Sequence, residues 1–276
     1  MMHTGHRFGQ YDIVPLLDGV FEAPADVLIH AAGDEARRRL IEKRGGKGIR
    51  VDVNCFVLRG PDGITLIDAG AADAFGPALG KARAALQEAG IRPEQIDRVL
   101  LTHIHGDHAL GLFDGTAPWL PRAEILVPEV DLAFFTDPAA RSAQPEGKRG
   151  PFDIAANLVR AYAGRLRPFP NGQVPGMPGI EALPLPGHTP GHTGYLLRGA
   201  EDSLLIWADT LHLQDEQTAD PDIGLIFDTD PTTALRTRRA LLEQVAQEGW
   251  LVAGSHITGF GRVRRAGAAF SFVTEG

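Results

Sequence analysis

The chain has 276 residues and a mass of 29.6 kDa, with 43% apolar and 22% charged positions. That is enough apolar sequence to bury a core unaided, and the single cysteine, Cys55, excludes an internal disulfide framework and a cysteine-rich zinc finger. The 27 basic and 35 acidic side chains leave a net charge of −8, which argues against a nucleic-acid partner. No apolar run reaches about 18 residues and Met1–Gln10 lacks the apolar stretch of a leader, so no membrane span or signal peptide is expected and a cytoplasmic location is.

In chain order, the pattern alternates between short strands and helices. Tyr11–Leu16 reads as a strand, Asp34–Lys43 as a helix, and Asp52–Leu58 and Ile64–Ile67 as strands. Pro77–Ala89 reads as a helix: Leu79, Ala82, Leu86 and Ala89 recur at helical spacing, Pro77 suits a first turn and Gly90 a stop. Strands follow at Arg98–Leu101 and Glu124–Val127, and Pro138–Pro151, rich in Pro, Gly and charge, reads as a mobile surface loop. Asp153–Ala163 reads as a helix and the Pro- and Gly-rich Pro168–Gly179 as irregular chain. Strands at Gly194–Leu197 and Leu204–Trp207 precede a helix over Pro231–Glu248, opened by the Asp230–Pro231 cap and striped by Leu235, Leu242 and Val245. Trp250–Val252 is the last strand expected. With no linker-like shift in composition, the chain reads as one α/β domain over 1–276, with an N-terminal extension of about ten residues.

The segment VLLTHIHGDHALGL, Val99–Leu112, carries the chemistry. Residues two apart in extended chain point the same way, so His103 and His105 project together, and Gly106 can turn the backbone so that Asp107 and His108 approach from another side. Any one of these is unremarkable as a strand-end histidine or helix cap; four potential metal ligands within six residues are not. The helical zinc-protease pattern is absent, having no His pair at i, i+4 around a Glu, and no G-x-S-x-G elbow supports a serine hydrolase. Cys55, alternating with apolar neighbours in VDVNCFVL, reads as a buried small hydrophobe, and His3, His6 and His30 as surface residues.

HIHGDH after an apolar strand resembles the HxHxDH signature of the metallo-β-lactamase superfamily, and further positions match in order: His188 in GHTPGHTGY, Asp209 in LLIWADT, His256 in LVAGSH and Asp68 in TLIDAG. The resemblance runs from about Val51 to His256. It implies an αββα sandwich of two mixed sheets flanked by helices, and two divalent metal ions. His103, His105 and His188 would hold the first ion, Asp107, His108 and His256 the second, and Asp209 would bridge them together with a hydroxide. Zinc is the first choice, and manganese, cobalt or iron would accept the same nitrogen and oxygen ligands. Asp68 would order the loop beneath the ions. His192, left over once the first ion has three histidines, is expected to support a ligand rather than be one.

Within the superfamily, Asp209 stands where the best-known zinc β-lactamases have Cys, and His105 where flavodiiron proteins have Glu. Only 20 residues follow His256, too few for the helical C-terminal domain of glyoxalase II. The acidic balance counts against RNase Z. PLLDG, PEVDLAFF and FDTDPTTALRTRRALLEQVAQEGWLVAGSH look similar to the branch of methyl parathion hydrolase and its lactonase and arylesterase relatives. That branch implies hydrolysis of small neutral esters, lactones or phosphotriesters, with Asp107 orienting the attacking hydroxide and passing on its proton. The N-acyl homoserine lactonases share the ligands but commonly place a Tyr where this chain has His212, so that catalytic role either is lost here or passes to the imidazole. Phe21, Phe113, Trp119, Phe134 and Phe135 are the candidates for an apolar substrate wall. An iron dioxygenase and a non-catalytic metal-bound sensor remain as other uses of this scaffold, and a homodimer is left open.

Overall fold

Alternation along the strands decides the layering. Val99 and Leu101 pack with Ile125 and Val127 into one apolar cluster, whereas Leu100, between them, joins Leu126, Leu204 and Ile206 in another. A strand buried on both faces needs a layer on each, and the chain supplies them.

The computed structural model describes residues 6–200 and 202–275; His3 and the start of the expected N-terminal extension lie outside them. The first sheet holds seven strands whose order in space follows the chain: β1 (His6–Phe8), β2 (Tyr11–Ala23), β3 (Ile49–Gly60), β4 (Gly63–Ile67), β5 (Ile96–Leu100), β6 (Glu124–Pro128) and β7 (Leu166–Phe169). β1 to β4 pair antiparallel and β4 to β7 parallel. The second sheet repeats the rule with β8 (Gly172–Gln173), β9 (Ile180–Pro184), β10 (Thr193–Arg198), β11 (Ser203–Ile206), β12 (Leu251–Ala253), β13 (Phe260–Ala266) and β14 (Ala269–Glu275). In it only β11 and β12 are parallel. The helices are α1 (Asp34–Lys43), α2 (Ala82–Glu88), α3 (Gly106–Ala109), α4 (Glu129–Phe135), α5 (Pro138–Ala143), α6 (Gly150–Ala161), α7 (Gln214–Ala219) and α8 (Pro231–Glu248).

Phe56, Leu100, Tyr195, Leu204 and Ala253 fill the space between the sheets. Leu86 of α2, Phe135 of α4 and Leu158 of α6 cover the outer face of the first sheet, and Leu241, Leu242 and Val245 of α8 that of the second. The result is the expected αββα sandwich. Asp230 caps α8 through the amides of Thr232 and Thr233 as expected, although the buried stripe runs through Ala234, Leu241, Leu242 and Val245 and leaves Leu235 half-buried. No helix among the described residues is long and apolar enough to cross a membrane.

Several expectations need correction. The helix expected over Pro77–Ala89 begins only at Ala82, because the buried Asp18 of PLLDG accepts the amides of Ala71, Gly80 and Ala82, and Gly80 takes φ +84° against the Ala72 carbonyl. Gly90 ends it as expected, at φ +72°. Pro138–Pro151 is not a mobile loop: it holds α5, a 3₁₀ turn at Glu146–Lys148 and the start of α6. Asp137 caps α5 through the amide of Ala139, with Pro138 in the first turn. That is the Asp–Pro signal also present at Asp230–Pro231, hidden here by the charge around it. Within Pro168–Gly179, Pro168–Phe169 end β7 and Gly172–Gln173 form β8. The residues from His6 on are not an extension, since β1 pairs with β2. The hairpin of β13 and β14 had no counterpart among the expected strands.

Leu204 is fully buried between the sheets, at the end of β11 away from Asp209. Leu204→Ala is expected to cost about 3 kcal/mol, from lost apolar contact plus the cavity left behind. Urea denaturation measures it, and a loss under about 1 kcal/mol would show that the two sheets do not share a tightly packed core there.

Candidate metal centre

The strands deliver their chain ends to one place. β5 runs into His103 and His105; the latter sits just before α3, which carries Asp107 and His108. β11 ends before Asp209, and its parallel neighbour β12 before His256, so both reach the same edge of the second sheet. The loop before β10 brings His188. Gly106 makes its turn with an ordinary helical start rather than a positive φ, so the expected glycine-specific turn is not what redirects the chain. Left-handed backbone instead occurs at Asp68, φ +59°, and at Ala208, φ +48°, the residue that aims Asp209.

Two groups of ligand atoms converge. Nδ1 of His105 lies 2.9 Å from Nε2 of His188, with His103 completing the trio. Nε2 of His108 and Nε2 of His256 each lie 3.6 Å from Oδ2 of Asp107. The buried Asp209 stands between the groups: its Oδ2 is 3.2 Å from His188 Nε2, 3.9 Å from His103 Nε2 and 3.0 Å from His256 Nε2, and its Oδ1 is 3.3 Å from His108 Nε2. All seven residues named from the sequence as ligands therefore meet. His103 Nε2, His108 Nε2 and Asp209 Oδ1 are buried without a hydrogen-bond partner. Buried polar atoms in a native fold normally have partners, and divalent cations would satisfy these. The donor set fits such ions.

A second set of contacts orients the rings. Nδ1 of His103 donates to Thr102 Oγ1 at 2.9 Å, that of His108 to Asp68 at 2.8 Å, that of His188 to Asp228 at 2.9 Å and that of His256 to the Asp52 carbonyl at 2.8 Å. With the Nδ1 proton engaged, Nε2 keeps its lone pair toward the centre. Asp68 also accepts the amide and hydroxyl of Thr102, so one carboxylate holds both the strand end and His108. His192 donates through Nδ1 to the Leu185 carbonyl and accepts the Asp209 amide at Nε2, 3.0 Å away, so both its nitrogens are engaged by the protein. Thr102, Asp52 and Asp228 escaped the sequence reading. All three lay inside segments quoted for other reasons and carried no signal of their own; Asp228 is backed by Arg238, a buried cation in the α8 stripe that also donates to the carbonyls of Thr210, Pro221 and Ile223.

The electrostatics follow from burial and from three carboxylates among the imidazoles. Burial, reinforced by neighbouring rings, holds His103 and His105 well below the ordinary histidine value. Burial also opposes protonation of His108, yet Asp209, Asp107 and Asp68 raise it well above that value. At His188 burial is likewise overcome, and hydrogen bonds to Asp209 and Asp228 push it up to about 9. Despite its burial, Asp209 is held well below the usual carboxylate range by His108, His256 and His103.

The sequence model of the metallo-beta-lactamase superfamily matches residues 48–256. The chain belongs to that superfamily. Among solved structures, the hydrolase AbOPH of the beta-lactamase superfamily is similar at 26% identity and a TM-score of 0.87, over 99% of this chain and 97% of that one. AidC, a dizinc quorum-quenching lactonase solved with the product N-hexanoyl-L-homoserine, has the same fold, with 23% identity, a TM-score of 0.86 and the same coverage. So does a probable metal-dependent hydrolase from Staphylococcus aureus, at 19% identity and a TM-score of 0.76 over 98% and 99% of the chains. No curated protein sequence matches this chain.

A cavity of about 460 Å³ opens above these residues, lined by His105, Asp107, His188, Asp209 and His256 among others. Phe21, Phe134 and Phe135 line it, together with Phe75, Phe152 and Phe227, which the sequence reading missed. Phe113 and Trp119 do not: Phe113 is buried against Tyr162 and Trp119 lies under the Arg83 guanidinium, because the short hairpin of Phe113–Asp114 with Ala117–Pro118 turns them onto the outer helical layer. His212 reaches the cavity wall with its ring stacked on His256 at 4.7 Å, and its Nε2 is 3.4 Å from Asp209 Oδ2. Burial pushes its pKa down to about 4, so the ring is neutral at pH 7.

Metal affinity should follow pH. A histidine raised from 6.5 to about 9 stabilises the metal-free fold fully below 6.5, and that contribution is lost as pH rises through about 9. An ion needs the same ring neutral, so zinc binding should tighten over that window while the metal-free melting temperature falls. Calorimetric titration and thermal melts at pH 6.5 and 9 check both, and zinc affinity independent of pH would rule out His188 as a ligand.

Proposed function

We propose that this protein is a dinuclear metal-dependent hydrolase of small neutral esters and lactones, with phosphotriesters as a further substrate class. The observation that carries this reading is the sharing of Asp209 between two ligand groups at the floor of an apolar cavity. Ten of the cavity's lining side chains are aliphatic or aromatic, and its one Lys or Arg, Lys148, is exposed and donates to the Ile226 carbonyl. Such walls suit an uncharged acyl or aryl group and exclude water around it. AidC, a dizinc lactonase bound to the ring-opened product N-hexanoyl-L-homoserine, supports the same chemistry for this fold.

Two divalent ions, zinc above all, would be held by His103, His105, His188, Asp107, His108, His256 and Asp209, and would supply hydroxide near neutral pH and polarise the scissile carbonyl or phosphoryl oxygen. The chain's own residues do the rest. Asp107 is the most exposed carboxylate of the cluster and borders the cavity, so it can accept the proton of the attacking oxygen and return it to the leaving group. His212, neutral and on the same wall, can donate a hydrogen bond to the substrate oxygen on which charge develops. The aromatic walls hold the acyl or aryl group so that its carbonyl faces the floor.

The test is metal analysis joined to a hydrolysis panel with and without chelator: an aryl ester, γ- and δ-lactones, acyl homoserine lactones, methyl parathion, a glutathione thioester and nitrocefin. About two ions per chain and chelator-sensitive turnover of esters or lactones are expected. Asp209→Ala should abolish dinuclear binding, and Asp107→Asn should weaken the ion held with His108 and His256 and, at saturating metal, lower kcat by about 10²- to 10⁴-fold. Asp209→Ala retaining two ions and full activity, or a single iron with oxygen consumption and no hydrolysis, would overturn the assignment.

A further inference from the structure

The three histidines His103, His105 and His188 belong to two separate loops, one leaving the first sheet and one entering the second. Something must set the distance between those loops, since the sheets meet chiefly through non-directional apolar contacts. The Thr193 amide donates to the Thr102 carbonyl and the Tyr195 hydroxyl to the Leu101 carbonyl, which ties the strands flanking the loops, and one buried side chain bridges the loops themselves. Asp131, fully buried on α4, accepts the amide of Ile104 at Oδ2, 2.9 Å away, and the amide of Gly191 at Oδ1, 2.7 Å away. Ile104 lies between the two histidines of its loop, and Gly191 lies three residues after His188. A Cβ on Gly191 would stand 2.3 Å from the Asp131 amide nitrogen, so glycine is what allows the loop to come this close.

A carboxylate is an expensive group to place here. Burial pushes Asp131 up to about 6 although both amides donate to it. An asparagine would avoid that cost of ionisation, but it offers one acceptor, and its NH₂ group would face the second amide donor to donor. Only a carboxylate accepts from both loops at once. The site adjoining the second group, Asp107, His108 and His256, has no such contact with Asp131; its rings are held by Asp68 and the Asp52 carbonyl instead.

We propose that Asp131 is a positioning residue that joins the His103–His105 loop to the His188 loop, and so sets affinity for the ion those three histidines would hold without setting affinity for the other. This rests on the dinuclear reading above. α4 thereby has two tasks: Asp131, the one buried side chain of its first turn, gauges the ligand loops, and Phe134 and Phe135 in its last turn line the cavity.

Zinc-loaded wild-type protein and the Asp131→Asn variant are titrated with a chromophoric chelator, and stoichiometry is read by metal analysis. In D131N one zinc should leave at about 10- to 100-fold lower chelator strength, as for other residues that orient metal ligands, while the second leaves as in wild type. kcat should fall at limiting zinc and recover at saturating zinc. Leu204→Ala is the stability control: it lowers the urea midpoint and should leave both affinities unchanged. Asp131→Glu keeps both acceptors on a longer arm, so it should fold and weaken the same single site; it carries the test if D131N does not fold. The proposal is overturned if the variant that folds keeps both affinities, if both sites weaken equally, or if L204A weakens the same site. Wild-type protein that binds fewer than two zinc ions overturns the dinuclear function itself; wild type and D131N holding two equally tightly overturn only the role of Asp131.

Discussion

A carboxylate buried among five imidazoles is the constraint around which the molecule is arranged. Asp209 lies within 4 Å of His103, His108, His188, His212 and His256, out of contact with bulk water. Removing an ionised carboxylate from water is costly unless positive charge or hydrogen bonds meet it. Here the compensation comes from groups that four different chain segments bring together. The backbone at Ala208 adopts a left-handed conformation to aim this one side chain, and His192 accepts its amide. A site that leaves four nitrogen or oxygen atoms without protein partners in its interior, three of them on His103, His108 and Asp209, is organised for cations.

The sandwich suits that task because it separates rigidity from chemistry. β5, β6, β11 and β12 are buried strands whose parallel pairing brings chain ends to a common edge, and the ligands sit just beyond those ends. The loops there are not loose. Asp68, Asp131, Asp228 and Asn54 each hold backbone or a ligand ring, Asn54 by donating to the carbonyls of Ser255 and Ile257 on either side of His256. Directional bonds from buried side chains do what apolar packing between the sheets cannot, because packing fixes spacing but not the angle of an imidazole. The cavity above is then free to be apolar, with α5 and the start of α6 bringing Gln144, Lys148 and Phe152 to its rim.

Much of this was legible in the sequence because it is local. The period-2 and 3.6-residue patterns located the strands and long helices, and Asp34–Lys43 and Pro231–Glu248 match their observed bounds. HIHGDH, with Asp209 and His256 each following an apolar strand, named residues that converge in the fold, since a strand end delivers its next residues to the edge of a sheet. What tertiary structure decided is what depends on contacts between distant segments. Phe113 and Trp119 look equivalent to Phe134 and Phe135 along the chain, yet a two-residue hairpin turns the former away from the cavity and a helix turns the latter into it. Composition made Pro138–Pro151 resemble mobile chain, and only its cap at Asp137 and its packing show it as ordered wall. Ring-orienting partners such as Thr102, Asp228 and the Asp52 carbonyl carry no motif, because a hydrogen bond needs only one well-placed acceptor, and placement belongs to the fold. The sequence by itself determined which atoms can hold ions, through residue type; the tertiary structure decided how those atoms face one another and what surrounds them, because direction and burial arise only when separate segments meet.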